Sequence, residues 1–216
     1  MIVVNVAGPH SFVINDMAGV TETMNIKTKA LRHEVHHVSA PAGIDFEKDG
    51  YLIGEDDLGT YFRPEVGSHI LVGSQGPDCD PQIWVQDPDV FDREISDDQW
   101  RAQVLRLARR LPALGVPNDK KGVVDLYVVS DDWIPIYDKT DLPGSYVAIG
   151  TSGNQFKNCH IAAYCMVQLI NAVEGGRDHD ADPVTVTMSY TGLEMDMSVF
   201  SRNREINADS SFSVLG

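Results

Sequence analysis

Residues 146–160, YVAIGTSGNQFKNCH, run from an apolar strand through a break of small residues straight into a helical pattern. A chain with this unit must build a sheet in which one strand ends at a glycine-rich turn and a helix folds back over it. The small residues Gly150, Thr151, Ser152, Gly153 and Asn154 let a planar ligand come close to the backbone. Unpaired N–H groups at a helix start carry roughly half a positive charge. Lys157, His160, Tyr164, Gln168 and Asn171 recur at spacings of three and four as a polar stripe. Phe156, Cys159, Ala162, Ala163, Met166, Leu169, Ile170 and Val173 fill the rest, which predicts a mostly buried helix. Lys157 stands in the first turn, where cations are disfavoured unless a negative group docks beside them. A capped helix packed on a sheet, with Lys157 merely solvated, satisfies the same spacing.

The rest of the chain sorts into two kinds of pattern. Residues 2–8, IVVNVAG, suit a buried strand feeding a helix that has Pro9 near its first turn and Gly19 as its stop. A strand this early has no preceding partner, although buried parallel strands normally sit between others. Residues 26–39, 50–57, 59–74 and 123–130 alternate like strands of a largely antiparallel or mixed sheet, with a hairpin turn at Gly67. A helix over residues 96–111 covers that sheet. The expected class is therefore α/β to α+β. Residues 1–26 and 134–216 read as α/β, and residues 27–133 as sheet.

Charge and composition exclude several function classes. The net charge of −15 opposes a nucleic-acid partner. Arginines do cluster in RAQVLRLARRL, but Val104, Leu107, Ala108 and Leu111 mark one apolar helix face there, leaving the arginines as a solvated face. No apolar run approaches the ~20 residues of a membrane span, and the first residues lack the basic and apolar regions of a leader peptide. Cys79, Cys159 and Cys165 are odd in number and unpaired in spacing, so a reducing compartment, the cytoplasm, is expected.

Two metal-like motifs fail on context. HEVHH contains His-Glu-x-x-His at His33 and His37, but the flanking pattern is strand-like, and a strand sends His36 to the opposite face. Glu34 and His33 are left as polar strand positions. DHDADP opens like a calcium loop, yet the sixth position is Pro183 and the twelfth Ser189, which leaves a solvated acidic loop. No G-x-S-x-G elbow supports hydrolysis. No metal is expected.

LYVVSDDWIPIYDKTDLPGSYVAIGTSGNQFKN resembles the C-terminal signature of the D-amino-acid oxidase superfamily of FAD-dependent oxidoreductases, in its sarcosine oxidase and dimethylglycine dehydrogenase branch. VVNVAGPHS resembles that family's V-N-A-A-G-x-W strand and turn, in the right order along the chain. The resemblance implies that residues 1–26 and 134–216 are parts of a Rossmann-like FAD-binding domain, and that residues 27–133 are a substrate domain. It implies Gly150, Thr151, Ser152, Gly153 and Asn154 against the flavin ring, with the helix start facing the ring's pyrimidine edge. Ala7 and Gly8 would approach the cofactor from the first strand. Lys157 would hold a substrate carboxylate, and Tyr127 would stand near the substrate. The implied chemistry is hydride transfer from the α-carbon of an amine or amino acid to FAD. Asp125 occupies the position of the branch's flavin-tethering cysteine, so the flavin would be non-covalent there, and Asn154 replaces a histidine. The family's G-x-G-x-x-G pyrophosphate site has no counterpart in these 216 residues. The chain is thus expected to act with an N-terminal FAD-binding half, to retain FAD poorly by itself, or to pair with a second copy. A non-catalytic subunit that completes a flavin site is the alternative.

Overall fold

A computed structural model describes residues 1–214. They form two compact units, one from Met1–Ala30 with Tyr127–Val214, the other from Leu31–Leu126. In chain order the elements are β1 (Val3–Asn5), α1 (Ser11–Ala18), β2 (Thr28–Ser39), α2 (Phe46–Asp49), β3 (Ile53–Glu55), β4 (Thr60–Glu65) and β5 (His69–Ser74). There follow β6 (Ile83–Val85), α3 (Asp97–Arg110), β7 (Gly122–Ser130), β8 (Ile136–Lys139), β9 (Ser145–Ile149), α4 (Cys159–Glu174), β10 (Thr185–Thr187) and β11 (Glu194–Asp196). Mixed helix and strand in several sheets is the class anticipated.

The unit of residues 31–126 is built on a sheet of order β3-β4-β5-β2-β6, with β7 also on β2. β4 and β5 form an antiparallel hairpin through Gly67, at φ +79. Alternation along β2 buries Arg32, Glu34, His36 and Val38 on one face. Val38, Phe62, Ile70 and Val72 pack there against Trp100, Val104 and Leu107 of α3. Ser96 caps α3 by accepting from Gln99 N–H, and the buried Glu34 carboxylate accepts from Ser96 N–H at 3.1 Å and from Arg32 at 2.6 Å. Glu34 thus secures the start of α3, a job beyond a polar strand position. His36 is buried edge-on to Trp100, and burial lowers its pKa to about 4. With HEVHH on a strand, no metal-holding cluster exists among the described residues. One expectation needs correcting. Arg106 is not simply solvated but donates to Asp80 at 2.6 Å, and Arg110 is bonded to Glu55.

The other unit holds a sheet of order β1-β9-β8, with β1 parallel and β8 antiparallel to β9. Tyr137 and Tyr146 face Cys165, Met166 and Leu169 of α4, while Met24, Ile26, Ile136, Val147 and Ile149 pack together as a separate cluster. Two expectations of burial fail here. Among the described residues β1 is an edge strand with Val3 and Val4 exposed, and α4 buries only Cys165, Met166 and Leu169. Phe156, just before α4, is 93% exposed and Val167 is 51% exposed. The physical reason is width: three strands offer the helix too few side chains to cover its whole apolar circumference. The loop DHDADP is not freely solvated either. His179 is buried, and Asp180 receives the buried Arg202 guanidinium at 2.9 and 3.1 Å. Among the described residues no helix is long and apolar enough to cross a membrane.

Candidate functional site

Parallel pairing sets Asn5 opposite Val147, so the chain leaves β1 through Ala7 and Gly8 beside the place where β9 ends at Ile149 and Gly150. Two glycine turns therefore stand side by side at the C-terminal ends of parallel strands, the edge where open parallel sheets receive ligands.

The first turn is organised by Asn5. Its side-chain Nδ2 donates to Ser11 O at 2.9 Å and to Asn15 Oδ1 at 2.8 Å, and its Oδ1 accepts from Ala7 N–H at 3.1 Å. His10 N–H then donates to Ala7 O, and Ser11 N–H to Gly8 O, closing a 3-10 turn over Gly8–His10. Gly8 has φ +55, and a Cβ placed on it would meet nothing within 4 Å. The left-handed backbone favours glycine there, while the space beside it is open.

The second turn is tighter. Gly150, Ser152 and Gly153 all have positive φ, at +71, +48 and +81. Buried Ser152 donates its N–H to Val128 O at 2.8 Å and its hydroxyl to Gly150 O at 3.2 Å. A Cβ on Gly150 would lie 3.1 Å from Ser130 and 3.4 Å from Thr28. A Cβ on Gly153 would lie 2.6 Å from the Tyr127 ring, so Tyr127 rests against Gly153. Asn154 N–H closes the turn onto Thr151 O at 3.0 Å, and the Asn154 Nδ2 is enclosed with no hydrogen-bond partner among the described residues.

The expected helix start moves. Gln155–Asn158 form a 3-10 turn, and α4 begins at Cys159 with Asn158 as an N-cap whose side chain makes no capping bond and donates instead to Gln155 Oε1 at 3.0 Å. The field of α4 thus begins beyond the glycine turn rather than at it. A 3-10 turn intervenes because Gly150–Asn154 is used to fold back onto β7. Lys157 is exposed within that turn. The fold gathers Tyr127 with Gly150, Thr151, Ser152, Gly153 and Asn154, sets Ala7 and Gly8 beside them, and leaves Lys157 at the outside.

Beside the turns lies an apolar cleft of about 560 Å³, lined by Val4, Val6, Tyr137, Phe156, Cys159 and Ala163 among others. Burial pushes the Tyr137 hydroxyl up to about 12, so it stays protonated near neutrality. Two residues at the turns escape the motif reading, Thr28 and Ser130, while Asn5 falls at the N of V-N-A-A-G-x-W with no role attached to it. Thr28 and Ser130 reach Gly150 only through the pairing of distant strands.

A family profile described as FAD dependent oxidoreductase (DAO) matches residues 1–169. No curated protein matches the sequence. Among solved structures, the chain is similar to glycine oxidase from Geobacillus kaustophilus, at 18% identity and a TM-score of 0.61 over 95% of this chain and 46% of that one. It is also similar to L-proline dehydrogenase from P. horikoshii, at 16% identity and a TM-score of 0.62 over 93% of this chain and 46% of that one. FAD-bound L-alpha-glycerophosphate oxidase from Mycoplasma pneumoniae gives 13% identity and a TM-score of 0.59, over 78% and 42% of the two chains. The chain spans less than half the length of each of these.

Proposed function

This chain belongs to the FAD dependent oxidoreductase (DAO) family, and from that premise we propose that it supplies the flavin-ring end of an enzyme oxidising the C–N bond of an amine or amino acid. The observation that carries the reading is the pair of glycine turns brought level at the ends of parallel β1 and β9. The residues fit a planar cofactor edge. The space beside Gly8 is open, a Cβ would be crowded at Gly150 and driven into the Tyr127 ring at Gly153, and the Asn154 Nδ2 has no hydrogen-bond partner among the described residues. Ala7, Gly8, Gly150, Thr151, Ser152, Gly153 and Asn154 would hold the flavin. When bound, FAD would accept a hydride from the substrate α-carbon, leaving an imine that water hydrolyses.

The chain's own residues would bind and orient the substrate. The Lys157 ammonium would pair with a carboxylate, which its exposed position beside the second turn allows. Tyr127, seated on Gly153, would form the wall nearest the substrate. Asp125 at the position of the branch's tethering cysteine favours a non-covalent flavin there. The three cysteines are free, which supports a cytoplasmic setting. The missing pyrophosphate motif, the open edge of β1 and the uncovered face of α4 together favour completion by a half carrying G-x-G-x-x-G, on this or another chain. A second copy of this chain on the same apolar surface is the lesser reading.

The test is spectroscopic. The chain is purified alone and after co-expression with a G-x-G-x-x-G half taken from the adjacent reading frame, and each sample is scanned for flavin. Stoichiometric flavin only in the co-expressed sample, bleached anaerobically by a member of an amine and amino-acid panel, is expected. A yellow, stoichiometric chain purified alone would overturn the need for a second half. Flavin that no amine or amino acid bleaches would overturn the C–N reading.

A further inference from the structure

Beyond β11 the chain returns to the loop that joins β7 to β8, residues 131–135, and places one side chain in it. Arg204 Nε and Nη2 donate to the two carboxylate oxygens of Asp132 at 2.8 and 2.7 Å. Nη2 also donates to Ile134 O at 2.7 Å, and Nη1 to Pro135 O at 3.3 Å and Ser201 O at 3.0 Å. Such a set matches the fork of N–H donors on a guanidinium. Asp132 is fully buried, and its Oδ1 accepts from Ile134 N–H at 3.2 Å as well.

The loop needs a clamp of this kind. Trp133, buried within it, has φ +62, a left-handed backbone that a bulky residue keeps only where its surroundings impose it. The same loop sets the two sides of the glycine turn after β9. Ser130, at its start, lies against Gly150, where an added Cβ would stand 3.1 Å from the Ser130 side chain. Ser130 Oγ donates across the loop to Ile134 O at 2.6 Å. Just before the loop Val128 O accepts from Ser152 N–H, and just after it Ile136 pairs with Ile149. The turn is thus held on one side by β7 and on the other by β8, and the loop that Arg204 closes fixes how those two strand ends are spaced.

We infer that Arg204 is a positioning residue, which closes the β7–β8 loop through Asp132 and so holds Gly150–Gly153 in the conformation that receives the flavin. The inference rests on the flavin reading above. It adds to that reading a residue lying beyond the family match, which ends at residue 169. The fork is what separates positioning from charge pairing. A lysine ammonium would keep the buried Asp132 carboxylate paired, which the fold requires. Its donors all sit on one atom, so it cannot hold both carboxylate oxygens and the carbonyls of Ile134 and Pro135 together.

The experiment has two readouts. Amide exchange of Ser152, whose N–H bonds to Val128 O, is followed by NMR on the full chain, and FAD affinity is measured on the flavin-containing co-expressed assembly. Val186→Ala, a truncation in the core cluster beneath α4, controls for lost stability. Arg204→Lys should speed Ser152 exchange about tenfold beyond that control and weaken FAD binding about tenfold, the scale of a well-placed hydrogen bond lost. Val186→Ala should bind FAD within about twofold of wild type. If Arg204→Lys does not fold, Asp132→Asn combined with Arg204→Gln, which leaves no buried charge, is used with the same expectation. Ser152 exchange no faster than in the control overturns the positioning role and leaves the flavin reading standing. Faster exchange with unchanged FAD affinity also overturns it, because the turn would then be held for something other than the flavin. A wild-type assembly that carries no flavin overturns the flavin reading, and the inference with it.

Discussion

Helices α3 and α4 each lie on a sheet, but their outer faces are made of different material. α3 buries Trp100, Val104 and Leu107, turns Arg101 and Arg109 to solvent, and pairs Arg110 with Glu55 and Asp57 at the surface. α4 buries Cys165, Met166 and Leu169, and its outer side still shows Ile161, Tyr164 and Val167, with Phe156 just ahead of it. The first helix is apolar inside and mostly charged outside, with Leu105 the one large apolar side chain left exposed on it. The second is apolar apart from its stripe of His160, Gln168 and Asn171, and part of that apolar surface is exposed, a composition suited to a helix with neighbours on more than one side. Both helices follow the same rule of burial, and the difference lies in how much protein surrounds them. The sheets repeat the contrast: among the described residues β2 has a partner on each side, whereas β1 has β9 alone.

The contrast is broken most directly by truncating one side chain on each helix. Leu107→Ala should cost about 2–5 kcal/mol in urea unfolding, because it empties a fully buried site. Val167→Ala, at a half-exposed site, should stay within about 0.5 kcal/mol. Comparable losses would mean that the outer face of α4 is already packed.

The two glycine turns sharpen it at the next scale. Gly153→Ala should cost about 1–3 kcal/mol in thermal unfolding, since it combines a left-handed backbone with a Cβ driven into the Tyr127 ring. Gly8→Ala meets open space and should cost about 1 kcal/mol, the backbone penalty alone. Equal costs would show that Tyr127 yields freely and does not define the second turn.

The smallest effect concerns the other end of the same unit, which is closed by charge. Hydrogen bonds from Arg202 hold the Asp180 carboxyl down at about 2, below its ordinary 3.8. A depressed carboxylate stabilises the fold above its unfolded value and loses that contribution as pH falls through its folded value. The melting temperature should therefore fall between about pH 4 and pH 2, by a modest amount because Asp180 is one-third exposed. Asp180→Asn should flatten that part of the curve. A profile unchanged by the substitution would remove Asp180 from the network.

What was legible in the chain follows the range of the interactions concerned. The hairpin at Gly67, the cap at Ser96, the long strand β2 and the strand, turn and helix at residues 146–174 all depend on residues close in sequence, and periodicity exposes them. The glycine turns and Tyr127 were legible through a motif, which names residues without their surroundings. Asn5 was visible as a motif position but its bonding was not, because its partners Ser11 and Asn15 become neighbours once α1 folds back. The Glu34 cap on α3 and the Arg202 clamp on Asp180 join residues 62 and 22 positions apart, and no local pattern marks such pairs.

By itself, the sequence determined which segments become strands and helices, and that a glycine-rich turn would follow an apolar strand, since backbone preference and side-chain spacing act over a few residues. The tertiary structure alone decided that β1 pairs parallel to β9 and brings two turns together, that α4 starts past the glycine turn, and that its apolar face stays open. Those outcomes depend on which surfaces meet and how wide they are, and contact between distant segments sets both.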